Sequence, residues 1–137
     1  MEFLQRSKFR EIVFLLLYGL DHVDQEIDNL IDTIYDQIKV SKRHIKDAAK
    51  VVLEVIEHKE QLDKIITAIS TEYAADRILK VEMNLIRLAM FEMMFQAVPA
   101  PVAISEAIRL SRKFSTVESG KYVNAILDQF AKGQLVS

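Results

Sequence analysis

Between Met83 and Phe95, ten of thirteen residues are apolar, and only Asn84, Arg87 and Glu92 interrupt the run. A helix that is apolar on nearly every side has to be buried, so the rest of the chain must be arranged to cover this one. The run is too short for a bilayer, which needs about 20 residues, and it carries two charges. Its methionines, Met83, Met90, Met93 and Met94, read as gap-filling core. Three glycines and two prolines against 50% hydrophobic residues leave little material for turns. That balance argues against an all-β sandwich and predicts an all-α protein.

Downstream, Pro99 and Pro101 bracket Ala100. Neither can continue a helix, and each restricts its predecessor to extended conformations, so the central helix should stop near Ala97. Pro101 suits the first position of the next helix, where its missing N–H is no loss. Ala103, Ile104, Ala107, Ile108 and Ser111 then form an i, i+3, i+4 face. Ser115-Thr116 can cap a last helix, with Val123, Ile126, Leu127 and Phe130 at helical spacing. Gly120 lies inside that helix, where it costs roughly 0.5 to 1 kcal/mol relative to alanine. Close helix packing is one reason to keep it; backbone access for a partner is the other.

Four more helices precede these. Phe9, Ile12, Val13, Leu16, Leu17 and Leu20 share a broad face, preceded by Arg6, Lys8 and Arg10 as a basic arm over residues 1–10. Basic residues before an apolar run resemble a secretory signal, but Glu11 stands directly before the run and no small-x-small cleavage site follows. From Asp21 to Asp36 the chain is acidic, with Ile27, Leu30, Ile31, Ile34, Tyr35 and Ile38 keeping a helical period. Ser41 can cap a third helix, along which Lys39, Lys42, Arg43, Lys46 and Lys50 line one face beside His44. This stripe reads as a solvated face complementing the acidic helix; without interleaved aromatics it is a weaker match to a phosphate track. Val51, Val52, Val55 and Ile56 continue that helix inward, and Leu62, Ile65, Ile66 and Ile69 define a fourth. Ala74-Ala75-Asp76-Arg77 has weak periodicity.

The 137 residues suit a single domain. With no cysteine, disulfides and thiolate metal sites are excluded, and the composition is compatible with the cytoplasm. A net charge of −2 predicts no general polyanion affinity, so any nucleic-acid surface must be local. His22, His44 and His58 fall on different helices, and the acidic segment lacks calcium-loop spacing. Ser119-Gly120-Lys121 lacks the earlier glycine and the preceding strand of a phosphate loop. Nucleophile elbows are absent, and pairs such as Glu54 and Glu57 sit on exposed faces. The chain therefore reads as a binding module, with no enzymatic activity, cofactor or metal expected.

Four segments carry a resemblance: Arg6 to Tyr18 (RSKFREIVFLLLY), Val81 to Phe95 (VEMNLIRLAMFEMMF), Pro101 to Phe114 (PVAISEAIRLSRKF) and Ser119 to Asp128 (SGKYVNAILD). Together they resemble the NusB family of bacterial transcription antitermination factors; residues 21 to 75 match only in helical pattern. The resemblance implies an all-α, seven-helix NusB-like fold of two three-helix subdomains packed together, one extending to about residue 75 and the other over about 76–134. It also implies binding of single-stranded boxA RNA from ribosomal RNA operons together with NusE, a small-subunit ribosomal protein. The setting is the RNA polymerase antitermination complex, in the cytoplasm, and some members pair as homodimers over the RNA surface.

By resemblance, Arg6, Lys8 and Arg10 match phosphate-contacting positions. Tyr18 matches an aromatic able to stack on an unpaired base, and Glu82 matches an acid that accepts a hydrogen bond from a base edge. Glu118 and Tyr122 match positions that meet NusE, with Lys121 a rim charge between them. Alternatively, Tyr18 closes the core and Glu118 only favours the positive end of its helix. Ser7 stands where the family commonly has arginine, and Leu15 where it commonly has glutamine. The expectation is weaker intrinsic RNA binding with greater dependence on NusE. Other readings are a helical protein adaptor, or an accessory module like the NusB-like part of ribosomal RNA methyltransferases, although no methyltransferase segment is expected within these residues.

Overall fold

The computed structural model describes residues 4–22, 25–70 and 78–136, and all regular structure among them is helical. Seven helices follow in order: α1 (Arg6–His22), α2 (Ile27–Gln37), α3 (Lys42–Glu57), α4 (Lys59–Ser70), α5 (Lys80–Phe95), α6 (Ala100–Phe114) and α7 (Val117–Val136). They group into two compact units, Met1–Glu57 with α1 to α3 and His58–Ser137 with α4 to α7. The division falls after Glu57 rather than near residue 75, so α4 groups with the second unit and the units hold three and four helices; the Ala74 to Arg77 segment lies outside the described residues.

In the first unit each helix packs on the other two. The amphipathic spacing read from the sequence puts Ile12, Val13, Leu16 and Leu17 of α1, Leu30, Ile31 and Ile34 of α2, and Ile45, Ala48, Val52 and Val55 of α3 into one core. Each fully buried large aliphatic contributes about 1.5–3 kcal/mol. Ile56, expected inside, is exposed. Gly19 lets α1 and α2 approach closely, since a Cβ there would stand 3.0 Å from a Leu30 methyl. Ser41 caps α3 loosely, its Oγ accepting from His44 N–H at 3.4 Å.

In the second unit α5 is the centre, packed against α4, α6 and α7. Residues Leu85 to Phe91 are all buried, as the apolar run requires, but so are Asn84, Arg87 and Glu92. Arg87 donates from Nε and Nη2 to both carboxylate oxygens of Asp63 on α4, at 2.7 and 2.9 Å, and from Nη1 to Asn84 Oδ1. The polar interruptions of the central helix are thus satisfied inside the bundle, as burial demands.

The helix ends at Phe95, and Ala97 takes a positive φ of 53°, turning the chain so that Val98 N–H reaches the Glu92 carbonyl at 3.1 Å. The next helix begins at Ala100 with Pro99 as its N-cap, one residue earlier than expected, so Pro101 occupies the second helical position. Its missing N–H is still one of the unsatisfied four of a first turn. Thr116 caps α7, its Oγ1 accepting from Ser119 N–H at 3.0 Å. Val123, Ile126, Leu127 and Phe130 are buried as the spacing predicts. A Cβ on Gly120 would meet Ser111 Oγ at 3.2 Å and Ile108 at 3.6 Å, so close packing of α7 on α6 accounts for this glycine. Ile104 and Ile108, expected to hold the bundle, are only half-buried, whereas Leu110 and Ser111 are fully enclosed.

Candidate functional site

In the first unit the site residues lie along α1. This helix starts at Arg6, so Arg6, Lys8 and Arg10 are helical and occupy its first two turns. The first turn holds no acidic residue. Cations near a helix N-terminus oppose the macrodipole, each by roughly 0.3–1 kcal/mol. Arg6 is exposed, and Lys8 and Arg10 are half-buried. Lys8 Nζ lies 3.2 Å from the buried Glu11 carboxylate, which offsets one of the three charges.

One turn follows another through an aromatic ladder at i, i+4 spacing. The Tyr18 ring lies 5.9 Å from Phe14 and 5.2 Å from His22, with interplanar angles of 24° and 13°. Phe14 is buried, Tyr18 is half-buried and His22 is exposed, so the stack runs from core to solvent. Tyr18 therefore both closes the core and belongs to a stacking platform. His22, the exposed end of that platform, was missed in the sequence, although its four-residue spacing from Tyr18 was the available signal.

The lysine stripe stands on the same unit. Lys39, Lys42, Arg43, Lys46 and Lys50 are all exposed. Lys42 bridges to Asp32 of α2 at 2.9 Å and lies 5.7 Å from the Tyr35 ring centre, which fits the solvated, acid-complementing reading at that position.

In the second unit, Glu82 sits in the first turn of α5, buried. One carboxylate oxygen accepts from Leu79 N–H at 3.0 Å, closing that turn, and the other accepts from Ser119 Oγ of α7 at 2.8 Å. Ser119 Oγ is also 2.8 Å from Ser115 Oγ at the end of α6. Glu82 is thus brought beside Glu118, Lys121 and Tyr122, and any base-edge donor would have to share an oxygen that is already engaged. Glu118 and Lys121 form an exposed pair at 3.6 Å, with side chains 82% and 72% exposed, a geometry worth little on its own. The Tyr122 hydroxyl is buried without a hydrogen-bond partner among the described residues. Burial, and then the nearby Glu82 charge, push its pKa above the ordinary 10.0.

A groove of about 890 Å³ separates the outer faces of α6 and α7, floored by Ile104 and Ile108. On its charged rim, which includes Arg112, Arg109 pairs with Glu106 at 2.8 Å and Lys132 with Asp128 at 2.9 Å. Among the described residues no His, Cys, Asp or Glu group of three or more is placed to hold a metal ion. No described helix is long and apolar enough to cross a membrane.

The model of the NusB family matches residues 7–132. The transcription antitermination protein NusB of Anaeromyxobacter dehalogenans is 35% identical over 130 residues, covering 94% of this chain and 92% of that protein. Among solved structures, NusB of T. maritima superposes with a TM-score of 0.79 at 29% identity, over 96% of this chain and 93% of the other. The crystal structure of antitermination factors NusB and NusE in complex with dsRNA gives 0.79 at 27% identity, over 93% and 96%. A family match spanning nearly every described helix, with the same fold in its solved members, places this chain in the NusB family.

Proposed function

We propose that this protein is a non-catalytic transcription antitermination factor that binds boxA RNA of ribosomal RNA operons together with NusE, within the RNA polymerase antitermination complex. The observation that carries the RNA half is the start of α1. Arg6, Lys8 and Arg10 crowd a helix N-terminus that has no acid in its first turn. Arg6 and Arg10 lie one turn apart on one side of this helix while Lys8 is paired with Glu11, and cationic charge at this end opposes the macrodipole and is relieved by a phosphate. The Phe14, Tyr18 and His22 stack on the same helix offers aromatic surface to an unpaired base. In the second unit Glu82 accepts from a base edge by sharing one of its engaged oxygens, and Glu118, Lys121 and Tyr122 form the NusE face. The structural relative that holds both NusE and RNA supports the pairing of ligands. That complex contains double-stranded RNA; single-stranded boxA is the ligand proposed here, with the whole chain acting in the cytoplasm as one NusB-like domain.

Reversing Arg6, Lys8 and Arg10 to glutamate should abolish RNA binding in a gel shift and flatten its salt dependence, while a pull-down with NusE is unchanged. Loss of both would mean that the RNA and protein faces are misplaced. With Ser7 and Leu15 thinning the polar surface of α1, the chain alone should hold boxA RNA more weakly than its NusE complex does. Equal affinities in filter binding would refute that. A helical adaptor with no RNA role would show no response to RNA sequence in the same assay, and light scattering with and without RNA reads whether copies pair over the RNA face.

A further inference from the structure

The geometry points to Glu82 as a positioning residue of the partner face, its carboxylate holding the first turn of α7 in the register that presents Glu118, Lys121 and Tyr122 to NusE. The inference rests on the NusE contact proposed above and gives Glu82 a task separate from RNA. Three helix ends meet at this carboxylate. It closes the first turn of α5 through Leu79 N–H, reaches α7 through Ser119 Oγ, and through Ser119 is linked to Ser115, where α6 stops. Glu82 and Ser119 are 6% and 2% exposed, so their hydrogen bond exchanges little with water. A hydrogen bond to a carboxylate is also among the stronger kinds.

The three partner-face residues flank this anchor: Glu118 immediately precedes Ser119, Lys121 follows by two residues, and Tyr122 lies one turn on. Leu79 and Val117, at the starts of the two joined helices, are large apolar side chains exposed by 51% and 56%. They border the anchored end with surface suited to burial against a protein. The Tyr122 side chain is half-buried, its hydroxyl enclosed and without a hydrogen-bond partner among the described residues, so what it offers a protein is the exposed part of its ring. Without the Glu82 link the turn would keep its Thr116 cap and the Ser115 contact but lose its tie to α5.

The test uses the full chain and three substitutions: Ser119→Ala, Glu82→Ala and Glu82→Gln. Ser119 is enclosed and offers nothing to a ligand, so its substitution reads the link alone. Ser119→Ala and Glu82→Ala should each weaken NusE binding about tenfold in calorimetry, the loss of one good hydrogen bond. Ser119→Ala should leave the RNA affinity of the chain alone unchanged. Glu82→Gln should restore NusE binding to within about twofold, because its carbonyl accepts from Leu79 and its amide donates to Ser119 Oγ, whose proton turns to Ser115. Native-state hydrogen exchange of the amides of residues 119–122 should accelerate about tenfold in both alanine variants. A lower melting temperature with unchanged NusE affinity overturns the inference, as does loss of RNA affinity in Glu82→Ala with Ser119→Ala fully active. If the wild-type chain fails to bind NusE, the proposed function falls, and the exchange rates still decide whether Glu82 holds α7.

Discussion

Each unit joins consecutive helices with an acid–base pair, and the two pairs sit in opposite environments. Asp32 and Lys42 link α2 to α3 at 2.9 Å with side chains 62% and 47% exposed. Asp63 and Arg87 link α4 to α5 at 2.7 Å with side chains 30% and 9% exposed. The hydrogen bond and charge of Asp32 raise the Lys42 ammonium above its ordinary 10.5, but water and salt screen such a pair. Arg87 has no water to return to, and its fork matches both oxygens of Asp63. The first unit is therefore held by an apolar core, and the charges that join its helices α2 and α3 lie on the outside. In the second, hydrogen-bonded polar groups are part of the packing and fix how its helices meet.

Arg87→Met gives the largest expected effect. It keeps apolar bulk on α5 and leaves the Asp63 carboxylate beside it without its fork. Breaking a buried pair costs 3–5 kcal/mol, and the partial exposure of Asp63 sets the expectation at about 3 kcal/mol. Urea titration should show a large fall in midpoint at constant m, whereas Lys42→Met in the same assay should show none. Equal effects would erase the contrast between the units. Adding Asp63→Leu to Arg87→Met should recover most of the loss, because two apolar residues need no partner.

A second contrast lies within α7. A Cβ at Gly120 strikes the α6 side chains, whereas one at Gly133 meets nothing within 4 Å. Gly120→Val should destabilise by about 2 kcal/mol through overpacking of the crossing. Gly133→Ala should stabilise by about 0.5 kcal/mol, since only helix propensity changes. Thermal melts of the two variants separate the cases, and a neutral Gly120→Val would mean that α6 and α7 have slack to give.

Much of this was legible in the sequence wherever one helix face decides burial. The cores of α1, α2 and α7 follow from periodicity, the break after α5 from Pro99 and Pro101, and the stops and caps near Ser41 and Thr116 from their side-chain chemistry. What stayed hidden depends on two helices at once. Nothing local ties Arg87 to Asp63, 24 residues away, or Glu82 to Ser119, 37 residues away. Arg87 reads instead as a polar interruption of the apolar run, and Glu82 only as an RNA-site acid by resemblance. Spacing alone places Ile104 and Ile108 in the core, yet they stand at the edge of the α6–α7 contact, where they line a groove and stay half-buried. The roles of α1 and of the Glu118 to Tyr122 turn come from family resemblance, since charge and aromatic spacing by themselves also describe an ordinary surface.

The smallest expected effect concerns the buried Tyr122 hydroxyl. At neutral pH, Tyr122→Phe removes a hydroxyl that has no hydrogen-bond partner among the described residues, so the melting temperature should be unchanged or slightly raised. Its signature is alkaline. Burial, and secondarily Glu82, raise the folded pKa above the unfolded 10.0, so the folded state holds its proton longer than the unfolded state does. Stability linked to this group is fully present below pH 10 and is lost as pH rises through the folded value. The wild-type chain should therefore lose stability above pH 10 more steeply than Tyr122→Phe, and parallel curves would place the hydroxyl in water.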